Sequence, residues 1–331
     1  MSNAFDPNLW RMLADDPAAS GLVRRRIAPA LTHDVFIGEL RPGRERALVL
    51  QIKESGAGLP QRRPSSRGLR VDVEGSDQGP VNVRLTSTSP GNAPLFAELA
   101  DDIVGVLAAD PGVGAAKRVL ERIVAWQAFF ATMRDEFSLE RAAGLFSELH
   151  VLREAFLSAL GAAQAVGAWC GPDPGIQDFQ FGNLAVEVKS FRGTGSGQLV
   201  ISSERQLELA GMERLYLAYV RLDQRPDGNG QTLLNAIDSL RDAVAGSAFA
   251  VDLLERQLLS YGWHDSHDQF RAEKYTVRAS ELFLVRKEFP RITSAQLPNG
   301  VGNVSYSIDR SALEPFLVPW QEFDGVLKEA A

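Results

Sequence analysis

The chain is poor in the residues that build sulfur and imidazole sites. Among its 331 residues are one cysteine, Cys170, and four histidines, at 33, 150, 264 and 267. A single thiol excludes an internal disulfide and any multi-thiolate zinc centre. His264-Asp-Ser-His267 has the i, i+3 spacing of a ligand pair, but no third ligand accompanies it and an exposed turn accounts for it. No Gly-x-Ser-x-Gly motif occurs, so a hydrolytic serine triad has no support. Gly193-x-Gly-x-Gly197 lacks both the ending of a dinucleotide loop and the Lys-Ser/Thr of a phosphate loop, which leaves a connector. No apolar run approaches the ~20 residues of a membrane helix. Met1-Ser-Asn-Ala-Phe-Asp-Pro7 is neither basic nor apolar, so the expectation is a cytoplasmic protein without signal peptide or membrane association.

Positive charge is also in short supply. The net charge is −7, which argues against coating nucleic acid by bulk electrostatics. The deficit is uneven. Gly21 to Val71 holds eleven Arg/Lys against four acids, so this island is strongly basic and the remainder is more acidic than the mean. Within it, Gln61-Arg-Arg-Pro-Ser-Ser-Arg-Gly-Leu-Arg70 reads as a solvated loop or, alternatively, a loop that contacts phosphate.

What is present is an ordinary globular composition, 45% hydrophobic and 23% charged, long enough for two or three domains. Short β-type runs at 33–40, 46–53, 69–74 and 80–87 predict a β-rich module ending near Pro90. Helical spacing follows at 94–109, 114–136 and 138–160. Trp126, Phe129 and Phe130 read as core. After a Gly/Pro loop at 170–175 come a hairpin, a helix from about Ser203, a buried strand over 214–222 and two helices within 232–260. Strands at 275–285 and 301–308 and a short final helix complete the chain. The expected division is a β-rich module at 1–110, an α/β core at 111–225 and a mixed extension at 226–331.

The stretch Ile176-Gln-Asp-Phe-Gln-Phe-Gly-Asn-Leu-Ala-Val-Glu-Val-Lys-Ser-Phe191 is the most informative. Gly182-Asn183 suits a two-residue hairpin turn. The register then sets Phe181 against Leu184, Phe179 against Val186 and Asp178 against Glu187. Like charges directly opposed destabilise a sheet, and Lys189 shares their face because strand side chains alternate. Two carboxylates converging beside an ammonium suit a divalent-metal site. An ion-pair network in an unrelated mixed α/β protein is the structural alternative. Pro172-Asp173 offers another acid, but the register carries Asp173 past this point, to face Arg192.

This arrangement resembles the PD-(D/E)XK nuclease superfamily, with a restriction-endonuclease-like core ordered helix–β–β–β–helix–β over about residues 140–222. Asp178 matches the first acid, and Glu187 and Lys189 the second motif. Gly144-Leu-Phe-Ser-Glu-Leu149 offers Glu148 from the upstream helix. Ser202-Ser-Glu-Arg-Gln-Leu207 offers Gln206, as in the nucleases of this group that carry a helix glutamine. The chain looks most similar to a bacterial family of the superfamily associated with restriction-modification-type defence loci.

The resemblance implies a Mg²⁺ (or Mn²⁺) dependent nuclease acting on DNA, in company with partner proteins of such a system. Asp178 and Glu187 would bind the metal with the Val188 carbonyl, Lys189 would activate water, and Glu148 would hold a second metal or a metal-bound water. Glu148 lies about 60° off the apolar stripe of its helix, where a solvated boundary glutamate is the competing reading. Ser203-x-x-Gln206 equally fits a capping box. The other functional reading is a catalytically silent nucleic-acid-binding or scaffolding subunit with the same fold.

Overall fold

The computed structural model describes residues 7–55, 68–75, 79–88, 93–132, 137–171, 177–193, 197–209, 211–265 and 272–331. The chain divides into two compact units, Met1–Arg134 and Asp135–Ala331. The divisions expected at 110 and 225 differ from this.

The first unit contains α1 (Pro7–Ala14), β1 (Gly21–Ile27), β2 (Asp34–Arg41), β3 (Glu45–Ser55), β4 (Leu69–Glu74), β5 (Pro80–Ser87), α2 (Ala93–Ala109) and α3 (Ala115–Thr132). The strands form one antiparallel sheet in the order β1-β2-β3-β5-β4. Alternation places Leu48, Leu50 and Ile52 of β3 and their partners Leu85, Val83 and Val81 of β5 on one buried face. β1 escapes the sequence reading because Arg24, Arg25 and Arg26 interrupt its apolar alternation. It is an edge strand, where charge discourages pairing with another chain. Trp126, Phe129 and Phe130 are core, as expected. Most of the basic loop at 61–70 lies outside the described residues.

The second unit opens with α4 (Leu139–Val151), whose N-cap Ser138 accepts the Arg141 N–H. The helix runs into a π-helical turn, Leu152–Phe156, then α5 (Leu157–Ala159) and α6 (Ala162–Ala168). Next come β6 (Phe179–Phe181), β7 (Leu184–Phe191), β8 (Gln198–Ile201), β9 (Arg214–Arg225) and β10 (Gln231–Thr232). They are followed by α7 (Leu233–Val244), α8 (Ala248–Tyr261), β11 (Lys274–Val285), β12 (Tyr306–Asp309), β13 (Leu317–Val318) and α9 (Trp320–Ala330). The main sheet runs β10-β11-β9-β7-β6, with β13 also on β11. β7 and β9 are parallel, and β11 is antiparallel to β9. Because β11 completes this sheet, the segment beyond 225 is integral to the unit.

Alternation along β9 gives the sheet two covered faces. Tyr216, Ala218, Val220 and Leu222 join the helical core, whereas Leu215, Leu217 and Tyr219 join a second cluster with Leu199, Ile201, Phe283 and Phe316. This makes the unit α/β. The expected helix–β–β–β–helix–β order is met only in part. β8 leaves the main sheet to pair with β12, and the helix expected from Ser203 is a single 3₁₀ turn, Glu204–Leu207. Among the described residues no helix is long and apolar enough to cross a membrane.

Candidate active site

The hairpin holds the register its sequence predicts: Phe181 pairs with Leu184 and Phe179 with Val186. Gly182 takes a positive φ of 55°, as the tight turn requires. The π turn presents Phe156 to Phe179, ring centroids 4.5 Å apart and nearly parallel. Such a pair contributes about 0.5–1.5 kcal/mol beyond its area, and it fixes the strand just after Asp178.

The β6–β7 ladder ends at Phe179, so Asp178 does not pair with Glu187 as a strand residue. Its Oδ2 instead accepts the Val188 N–H at 2.6 Å. A strand residue sends its N–H and C=O to the same side, so the Val188 carbonyl leaves β7 on that edge as well. The Asp178 carbonyl accepts the Cys170 N–H at 2.9 Å. Glu187 is 1% exposed, and its Oε1 lies 2.6 Å from the Lys189 ammonium.

Glu148 is not a solvated boundary residue. It is buried on α4, and each oxygen has its own donor: the Trp169 indole N–H at 2.8 Å and the Tyr261 hydroxyl at 2.9 Å. Neither donor carries a sequence motif. Tyr261 is the last residue of α8, which ends on left-handed Gly262; the Trp263 N–H returns to the Leu258 carbonyl in a Schellman-type cap. The site therefore draws on residues well beyond the span read from the sequence.

Burial dominates the electrostatics. It pushes Glu187 up to about 8, helped by the Asp178 charge and opposed by Lys189. It pushes Asp178 up to about 6, opposed by Lys189 and by the Val188 N–H. Burial and the Asp178 charge also raise Glu148 well above the carboxylate range, against its two hydrogen bonds. Burial works against the Lys189 charge, but Glu187 and Asp178 outweigh it and the ammonium is held above its usual value. Among the described residues, three carboxyl groups thus share the field of one lysine. That excess of negative charge must be met by protons or by a cation.

The hard oxygens of Asp178 and Glu187, with the Val188 carbonyl on the same edge, fit Mg²⁺ or Mn²⁺ in kind. Among the described residues, however, no group of three His, Cys, Asp or Glu is disposed to hold a metal. Glu148 stands close enough to act electrostatically, but its oxygens are turned to Trp169 and Tyr261.

Of its two expected placements, Gln206 takes the one close to a cap. Its Oε1 accepts the Ser202 N–H at 2.8 Å, while Ser203 Oγ accepts from the Arg205 N–H. It closes its own loop, one residue removed from a capping box. Pro172, Asp173 and His267 lie outside the described residues.

The family model described as "Putative PD-(D/E)XK family member, (DUF4420)" matches residues 7–311. The chain belongs to this family. The match includes Glu148, Asp178, Glu187 and Lys189, and reaches across both units. Nothing among curated proteins or solved structures matches the chain.

Proposed function

We propose that this member of the PD-(D/E)XK-type family is a metal-dependent nuclease that hydrolyses phosphodiester bonds in DNA. Its setting is bacterial restriction or defence, in the cytoplasm and with partner proteins. The observation that carries the reading is the convergence of Asp178, Glu187 and Lys189 at the edge of β7, with more buried carboxyl groups than cations.

Asp178 and Glu187, with the Val188 carbonyl, would hold Mg²⁺ or Mn²⁺. The bound ion would polarise the phosphoryl oxygen and lower the pKa of its water. The chain's own residues supply the rest. Val188 fixes the Asp178 carboxylate through its N–H. Lys189, held charged on Glu187, orients the attacking water and offsets the charge that builds on phosphorus.

The test is isothermal titration of Mn²⁺ into the wild type and Asp178→Ala, with plasmid cleavage by the wild type and Lys189→Ala. Mn²⁺ binding should vanish in Asp178→Ala, and cleavage in Lys189→Ala should fall by at least about 10²-fold. A wild type that binds no Mn²⁺ refutes the metal site. One that binds Mn²⁺ and cuts no nucleic acid matches the silent-subunit alternative.

A further inference from the structure

α8 reaches the candidate site at two points one helical turn apart. Tyr261 donates its hydroxyl to Glu148, and Gln257 donates its side-chain amide to the Trp169 carbonyl. The Trp169 indole supplies the second donor on Glu148. The Trp169 and Tyr261 rings are 6.3 Å apart, and each oxygen of the carboxyl is held by one of these two stiff groups. The next residue, Cys170, donates its N–H to the Asp178 carbonyl. One helix is thereby linked to both Glu148 and the main chain of Asp178.

The surroundings favour this grip. Gly144 lies one turn before Glu148 on α4. A Cβ there would stand 3.2 Å from the Tyr261 hydroxyl, so the absence of a side chain makes room for the donor. The Tyr261 ring packs edge-on against Phe137, and the Arg141 guanidinium lies 5.4 Å from its centroid. Burial and the neighbouring Glu148 hold the phenol well above its usual pKa, so it keeps its proton.

We propose that Trp169 and Tyr261 are positioning residues for the ion-binding site. They hold the Glu148 carboxyl in one orientation, each oxygen turned to its own donor, so that the group adds negative potential beside a divalent cation on Asp178 and Glu187 without displacing their oxygens. The assignment rests on the metal-site reading above. It goes beyond it in bringing α8 into the site and in giving Glu148 an indirect role. Partners that orient a charge around a metal typically alter affinity by about 10–100-fold when removed.

The experiment is Mn²⁺ titration calorimetry on the full chain, comparing wild type, Tyr261→Phe, Glu148→Gln and the double variant. Tyr261→Phe keeps the ring packing and deletes only the donor. It should weaken Mn²⁺ binding by about 10-fold or more, with unchanged stoichiometry. If the tyrosine acts through Glu148, the double variant binds Mn²⁺ no more weakly than Glu148→Gln alone. Leu327→Val, a core change on α9, which contributes no group to the site, should lower thermal stability and spare Mn²⁺ affinity. Should Tyr261→Phe not fold, Trp169→Phe carries the same expectation.

Unchanged affinity in Tyr261→Phe overturns the assignment, and so do additive losses in the double variant. A wild type that binds no Mn²⁺ overturns the metal-site reading, and this assignment with it. That result is distinguishable from a failure confined to the variants.

Discussion

Glu187 concentrates the energetics of the site in one side chain. It is buried, and its carboxyl holds a proton up to about pH 8 against an ordinary value of 4.5. The native state therefore binds this proton more tightly than the unfolded chain does. The resulting stability is fully present below pH 4.5 and is lost as pH rises through about 8. Asp178, raised from 3.8 to about 6, acts in the same sense at lower pH. Thermal unfolding of the metal-free protein should show a midpoint that falls as pH rises from about 4.5 to about 8 and levels off above that. Glu187→Gln, which removes the charge and keeps the shape, should flatten that fall and melt higher at pH 9. Identical slopes in both proteins would refute this account. The same comparison with saturating Mn²⁺ should show a smaller slope in the wild type, because a cation replaces the proton.

At the scale of the element, the hairpin was legible and the helix at 203 was not. Local rules govern the first: a Gly-Asn turn, apolar alternation and a two-residue loop leave one register. Ser203 also makes a local signal, but four residues of 3₁₀ turn are all that follow, because Leu207 is drawn into the second core cluster and Glu204 accepts the Val304 N–H from a distant loop. The position of Glu148 on a helix was readable, but its burial was not, since Trp169 and Tyr261 are fixed only by tertiary packing. The third strand of the expected order has no local mark of where it pairs: β8 joins β12, more than 100 residues onward, and not the main sheet. α8 offers a direct test of how an element end serves the site. Gly262 has φ 92°, and an alanine in the left-handed region costs about 1–2 kcal/mol. Gly262→Ala should lower the unfolding midpoint. If the helix end also sets Tyr261, it should weaken Mn²⁺ binding in the folded protein too, as titration would reveal.

For the molecule as a whole, the family match and the architecture place functional weight on segments that the motif-bearing stretch does not include. β9 lies between β7 and β11. A fragment ending at residue 225 would expose the β9 backbone edge that β11 pairs with and remove the α7 and α8 side chains from the core cluster that includes Val220 and Leu222. Residues 111–225 expressed alone should aggregate or remain unfolded, whereas 135–331 should give a cooperative melt; circular dichroism and sedimentation would distinguish the two. A stable, monomeric 111–225 fragment would contradict the two-unit division.

The bond from the Val188 N–H to the Asp178 carboxylate has a practical consequence. It places one main-chain proton directly on an acid of the site, where no substitution or dye is needed to observe it. In an amide NMR spectrum, that single resonance should shift when Asp178 changes protonation or takes up an ion. Its neighbours Ala185 and Val186, whose partners lie in the β6–β7 ladder, serve as internal references. The chain thus contains its own indicator of site occupancy, one that can be read during titration with diamagnetic Mg²⁺ and in the unaltered protein.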